Sequence, residues 1–321
     1  MDYGGTLSQP TKPTRTRVLV TGATGQLGGE LLEYAEMASI SGDLDSMDNK
    51  ASGVLGISSH QCDLSDREQV LQLIGRYEPE VIIHSAAWTD VDGCELDPDR
   101  AFRMNALATR NIAESAGYAR AHICYLSTDY VFNGEKNSPY NEWDTPEPIN
   151  VYGKSKLAGE MELPPGSTIV RTSWLSSRRG RNIVKTVIDL AADPSRTLEF
   201  VDDQYGSPTF AKGLANLVWK LAIQRRPGIF NITNQGTVNW YCFAKAILEE
   251  ADLDPSRVHP ISTAAMNPAR PARRPKFSVL DNCAIRLSGE SLLPSWRDGL
   301  KELVAQLKSE KLSSMNSHLL K

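Results

Sequence analysis

From position 17 onward, short runs that are apolar at nearly every position alternate with longer segments whose apolar residues recur at helical spacing. The apolar runs fall at 17–20, 54–58, 81–84, 121–127 and 168–171. Strands without polar alternation are those covered on both faces, as in a parallel sheet flanked by helices. Five such strands separated by helical segments predict βαβ units and an α/β fold, a Rossmann-type doubly wound parallel sheet. The helix at 98–117 starts at Pro98 and ends at Gly117, residues suited to a helix start and stop.

Beyond Arg171 the alternation weakens. Helices are predicted at 183–192, 211–224, 240–250 and 296–307, with short strands at 198–201 and 228–232. The chain therefore divides into a nucleotide-binding domain over 17–171 and a smaller, mainly substrate-binding lobe over 172–307. Segment 1–16 is polar and rich in Gly, Pro and Thr, with no apolar core of a signal peptide, and reads as a disordered tail. Residues 308–321 read as a frayed tail. A polar stretch at 38–53 reads as a surface loop inserted before the second strand.

A net charge of −4 over 321 residues supplies no basic field for nucleic acid or an anionic membrane, and no apolar stretch approaches a membrane span. The five cysteines (Cys62, Cys94, Cys124, Cys242, Cys283) are scattered, odd in number and without a C-x-x-C pair. They match neither a disulfide framework nor a zinc site, so no metal is expected and a reducing, cytoplasmic location fits.

The first strand runs into a turn with glycines at its first, fourth and seventh positions, Gly22, Gly25 and Gly28. The first glycine permits a tight turn, the second lets backbone approach a pyrophosphate, and the third lets the next helix pack on the sheet. Amides at the helix start then hold the phosphates. The cofactor-binding set is Gly22, Gly25, Gln26, Leu27 and Gly28, with Ser58 ending the second strand and Ser85, Ala86 and Ala87 ending the third. Asp63 and Leu64 lie where such folds contact adenine, although Asp63 could equally cap the following helix. Ser58, Ser59 and His60 offer neither a carboxylate for a ribose nor an arginine for a 2′-phosphate, so NADPH and NADH both stay open, with a lean to NADPH.

The fourth strand ends in Ser127-Thr128-Asp129-Tyr130, and Tyr152-x-x-x-Lys156 follows. On a helix these two residues share a face. Lys156 can then lower a phenol pKa that is about 10 when free, while a hydroxyl of Thr128 or Ser127 orients a substrate carbonyl. Thr128, Tyr152 and Lys156 are the catalytic candidates, and Tyr152 and Lys156 also join the cofactor-binding set.

These segments resemble the dTDP-4-dehydrorhamnose reductase family, within the extended short-chain dehydrogenases, over nearly all of 17–307. The likeness rests on the glycine turn, on Ala86-Ala87-Trp88-Thr89-Asp90-Val91-Asp92, Asn105-Ala106, Ser127 to Phe132 and Asn150 to Glu160. Further matches are Arg171-Thr172-Ser173-Trp174, Asp203 to Thr209, Arg274-Pro275 and Ser278 to Asp281. It implies a dTDP-linked 4-keto-6-deoxyhexose as substrate, a hydride from NAD(P)H to C4, and dTDP-L-rhamnose as product. Tyr152 would protonate the alkoxide, and Lys156 would hold the nicotinamide ribose. Thr128, Asp129, Tyr130 and Trp174 would face the sugar nucleotide, with Asp129 as a turn residue and the two aromatics as buried packing the alternatives. Arg178, Arg179 and Arg181, or Arg270, Arg273 and Arg274, could grip the diphosphate or lie in solvated loops. A homodimer is compatible with the likeness. So are a sister reductase of another deoxysugar pathway, streptose-type for example, and the non-catalytic regulatory subunit of methionine adenosyltransferase, which is similar to these reductases.

Overall fold

β1 (Val18–Thr21) is buried at all four positions, as a strand covered on both faces must be. The structure, a computed structural model, describes residues 16–41 and 53–319. From β1 the chain passes through α1 (Gln26–Ser41), β2 (Val54–Ile57), α2 (Arg67–Tyr77) and β3 (Val81–His84). α3 (Val91–Leu96), α4 (Pro98–Phe102), a π turn at Arg103–Leu107 and α5 (Ala108–Ala119) lead to β4 (His122–Thr128). A 3-10 turn at Asp129–Val131, α6 (Val151–Met161) and β5 (Thr168–Thr172) follow. The C-terminal part holds β6 (Leu175–Ser176), α7 (Ile183–Ala191), β7 (Leu198–Val201), β8 (Tyr205–Gly206), β9 (Thr209–Phe210) and α8 (Ala211–Ile223). It closes with β10 (Gly228–Asn231), β11 (Val238–Asn239), α9 (Trp240–Glu250), β12 (Val258–Ile261), α10 (Cys283–Leu287) and α11 (Trp296–Leu319).

The main sheet is parallel with the order β10-β5-β4-β3-β1-β2. The alternation of β1 sorts its two faces: Val18 and Val20 pack with Leu31 of α1 and with Leu214, Val218 and Trp219 of α8. Leu19 faces the other way, towards Val70 and Ile74 of α2 and Ile112 of α5. A separate core joins Val184 of α7, Phe243 and Ile247 of α9, and Trp296 and Leu300 of α11. Because β2 lies on one side of β1 and β3 on the other, the strand order reverses there, which opens a crevice at the carboxyl ends.

All five predicted strands of the main sheet are present within a residue or two of the expected bounds. Five features differ. The strand expected in the C-terminal lobe, β10, adds to β5 and becomes the sheet's edge, and α8 covers the same sheet, so the main sheet extends past Arg171. The helix predicted at 98–117 is interrupted by the π turn, where Asn105 is buried with its amide on the Trp88 backbone N–H (2.8 Å) and carbonyl (3.1 Å). Gly117 lies inside α5, and Arg120 takes the left-handed conformation at its end, with φ 54°. α11 continues to Leu319 in place of a tail, since no Gly or Pro follows Gly299 to stop it. α1 likewise continues to Ser41, and the rest of the predicted insertion, 42–52, lies outside the described residues, as does 1–15.

Candidate functional site

The glycine turn sits at the mouth of the crevice. Gly22 has φ +70°, and a Cβ there would lie 2.9 Å from the Ala86 backbone, so both conformation and space demand glycine. A Cβ on Gly25 would stand 3.1 Å from the Gly22 carbonyl, and one on Gly28 would collide with that carbonyl. Gly22 and Gly25 line a cleft of about 470 Å³ together with Ser58, Asp63 and Leu64. Ser85, Ala86 and Ala87 form another part of its wall. The Ser85 hydroxyl donates to the Thr21 carbonyl (2.6 Å), which ties the end of β3 to the turn. The bare turn, the helix N-terminus beyond it and a cleft within the size range of ligand sites fit a dinucleotide.

Two members of the expected cofactor set, Leu27 and Gln26, turn their side chains away from the cleft, while Gly28 does the packing expected of the third glycine. The Leu27 side chain is buried in the core beneath the sheet. Gly28 serves the packing of α1 on the turn, and neither residue lines the cleft. Gln26 reaches away to the Leu175 carbonyl (3.4 Å), leaving its own Oε1 buried without a partner among the described residues. Asp63 accepts hydrogen bonds from the Ser65 N–H and hydroxyl, while Asp66 caps α2, so the capping alternative for Asp63 falls to Asp66. Replacing Gly22 by Ala is expected to weaken NADPH binding by roughly tenfold or more, since a Cβ that meets the Ala86 backbone forces the turn out of the shape in which a pyrophosphate can approach it. Calorimetric titration of the folded variant checks this, and unchanged affinity would remove the turn from the cofactor site.

The second constellation gathers where β4 meets α6. Asn150 caps α6 through the Gly153 N–H (2.8 Å), and Gly153 and Gly159 let the helix lie against the Tyr130 carbonyl and Tyr125. This seats Tyr152 and Lys156 one turn apart beside Thr128, with the Tyr130 and Tyr152 rings edge to face at 6.0 Å. Lys156 is buried, its ammonium 4.0 Å over the Tyr125 ring. Burial lowers it to about 7, against the pull of the Glu160 carboxylate. Burial pushes the Tyr152 phenol up, opposed by the Thr128 side chain. This is opposite to the lowering expected from Lys156, because the desolvated phenolate costs more than its neighbours return.

Asp129 is buried and held by two hydroxyls, Ser278 (2.5 Å) and Thr128 (3.1 Å), and burial raises it to about 7 from 3.8. The native state therefore keeps a proton that the unfolded chain has released. The stability it contributes is full below 3.8 and is lost as pH rises through about 7. Asp129→Asn, which mimics the protonated form, is expected to melt higher than the parent at about pH 8 and to lose that advantage near about pH 4. Scanning fluorimetry at both pH values tests it, and a pH-independent difference would contradict the raised carboxyl.

Trp174 adopts φ +47° and stacks on Trp240 with centroids 3.5 Å apart. A Cβ on Gly206 would lie 2.5 Å from its indole, so Trp174 fills the role of a packed aromatic. The arginines expected around a diphosphate are largely paired already. Arg178 meets Glu33 and Glu310, and Arg179 meets Glu33 (2.7 Å). Arg274 (2.7 Å) and Arg270 (3.1 Å) share Asp92, which they hold down at about 2 despite its burial.

The RmlD substrate binding domain model matches residues 16–309. The chain belongs to this family. Among its relatives, the spore coat polysaccharide biosynthesis protein SpsK of Bacillus subtilis is 37% identical, over 92% of this chain and 99% of that protein. A dTDP-4-dehydrorhamnose reductase of Streptomyces griseus is 36% identical over 90% of this chain and 93% of its own length. The crystal structure of dTDP-4-dehydrorhamnose reductase from Bacillus anthracis in complex with NADP superposes with a TM-score of 0.82 at 36% identity, covering 91% and 99% of the two chains.

In this RmlD-family chain, sequence reasoning assigned no role to a buried layer behind the constellation. Arg171 grips Glu160 with two bonds (2.6 and 3.0 Å), and Ser127 donates to the same carboxylate (2.5 Å). Glu160 stands one helical turn past Lys156, so the i, i+4 spacing could have shown it. His84, held between Thr21 (2.7 Å) and Thr109 (3.2 Å), is lowered by burial to about 3 and stays neutral. Trp88 and Arg100 also line the cleft at the glycine turn, and no sequence signal marked Arg100. Among the described residues no His, Cys, Asp and Glu cluster could hold a metal, and no helix is long and apolar enough to cross a membrane.

Proposed function

We propose that this chain reduces the 4-keto group of a dTDP-4-keto-6-deoxyhexose, converting dTDP-4-dehydro-L-rhamnose to dTDP-L-rhamnose. The observation that carries the reading is the row of Thr128, Tyr152 and Lys156 at the carboxyl end of β4, in the sheet whose glycine turn opens the cofactor cleft. Bound NAD(P)H supplies the hydride. Tyr152, kept protonated by burial, donates the phenolic proton to the C4 oxygen as charge develops there. Thr128 orients the carbonyl, and Lys156 binds the nicotinamide ribose and stabilises the phenolate left behind. Asp129, Tyr130 and the half-buried Trp174, whose other side packs on Trp240, form the wall beside the sugar nucleotide. The relatives named as dTDP-4-dehydrorhamnose reductases and the NADP complex support substrate class and cofactor.

The proposal includes a cytoplasmic location, which the free thiols of Cys62, Cys94 and Cys124 support. It also includes a homodimer, for which Leu96, Phe102 and Leu107 are exposed apolar positions on neighbouring helical segments. The likeness to SpsK favours one second reading, a sister reductase serving another surface sugar. Purified protein mixed with freshly generated dTDP-4-dehydro-L-rhamnose and either NADPH or NADH decides between them. Loss of nicotinamide absorbance with dTDP-L-rhamnose as product is expected. Cofactor binding without turnover of this sugar would overturn the rhamnose assignment and leave the sister reaction.

A further inference from the structure

We propose that Arg100, seated on the indole of Trp88, binds the adenosine 2′-phosphate and makes this chain prefer NADPH to NADH. The inference rests on the dinucleotide reading of the cleft and adds to it a choice between two cofactors. Arg100 and Trp88 line the same cleft as Gly22 and Gly25 of the glycine turn and as Ser58 and Ser59 at the end of β2. Among the described residues, Arg100 is the one arginine or lysine in that lining.

Its position is fixed from both ends. The Arg100 N–H donates to Asp97 (3.0 Å), the residue that starts α4, and Pro98 restrains the first turn. At the far end, the guanidinium lies 4.3 Å from the centre of the Trp88 ring. A cation held on an aromatic face keeps its N–H groups free at the edges, where phosphate oxygens are met. The contrast with other arginines of this chain is direct. Arg178, Arg179, Arg270 and Arg274 are each within an ion pair, whereas the side-chain contact found for Arg100 is the indole. Holding the guanidinium in place beforehand reduces the ordering cost on binding.

The remainder of the cleft is suited to the same group. A carboxylate at the end of β2 would bind the two ribose hydroxyls and repel a 2′-phosphate. Here the strand ends in Ser58 and Ser59, whose hydroxyls and amides carry no charge. The acid in the lining, Asp63, accepts from Ser65 and is not paired with Arg100. A guanidinium facing a dianionic phosphate forms a charge-assisted contact, roughly twice as strong as a neutral hydrogen bond.

The test compares the parent with Arg100→Ala and Arg100→Met, the second keeping an apolar stem on Trp88 while removing the charge. Dissociation constants for NADPH and NADH are measured by calorimetry at fixed salt, with thermal melts as a folding control. Both variants are expected to bind NADPH about tenfold more weakly and NADH within about twofold of the parent. An equal loss for both cofactors would assign Arg100 to the adenine and overturn the proposal, as would unchanged NADPH affinity. A parent protein that binds neither cofactor would bring down the dinucleotide reading itself, an outcome the variants alone cannot produce.

Discussion

Tyr152→Phe is expected to lower turnover of the keto sugar by about 10²- to 10⁴-fold while leaving NADPH affinity within about twofold of the parent. The substitution removes one oxygen and leaves a ring that can still meet Tyr130 edge to face. Burial keeps the phenol protonated at neutral pH, the state a donor requires, and the Thr128 side chain lies within hydrogen-bond reach of it. The glycine turn and the lining of the cofactor cleft are untouched by the change. Affinity and rate should therefore separate, with the loss in kcat. Single-turnover kinetics with saturating NADPH reads this directly. A variant that reduces the sugar at the parental rate would remove Tyr152 as proton donor, and a parallel loss of cofactor affinity would show a positioning role instead.

Arg171→Ala is expected to destabilise the fold by about 3–5 kcal/mol, the cost of leaving a buried carboxylate without its partner. Arg171 and Glu160 expose 2% and 5% of their side chains, so solvent does little to screen the pair. Glu160 would keep the Ser127 hydroxyl but lose both guanidinium bonds. The vacated space lies against Phe132, whose ring the guanidinium faces at 5.2 Å. Replacing both partners, as in Glu160→Leu with Arg171→Met, should cost far less, because no charge is then stranded. Urea denaturation of the parent, the single and the double variant separates these terms. A single variant within about 1 kcal/mol of the parent would mean that the pair behaves like a surface bridge.

The sequence was most informative where local rules and tertiary structure agree. The unbroken apolar runs are strands buried on both faces, and Gly22 is glycine because its φ and its distance from Ala86 permit nothing else. Tyr152 and Lys156 share a helix face by spacing alone. Elsewhere spacing and burial point in opposite directions. Lys156 was expected to lower the phenol of Tyr152, yet burial drives the phenol up and brings Lys156 itself to about 7. Burial is a property of everything packed around a group, and no spacing rule contains it. The basic loop at Arg178 and Arg179 is a second case, since its partners on α1 and α11 are about 145 and 132 positions away.

What the sequence by itself determined was the periodicity: which segments are strands, where the glycine turn falls, and which face of α6 bears Tyr152 and Lys156. These depend on residues within a turn or two of one another, and local sterics and hydrogen bonding fix them. Only the tertiary structure decided that β10 completes the sheet, that Asn105 sits in a π turn against Trp88, and that Glu160 and Arg171 lie behind the constellation. It alone brought Arg100 onto Trp88 at the rim of the cleft. Each of these joins residues from different elements, and the free energy that selects them comes from excluding water around the assembled core, which no single segment can do alone.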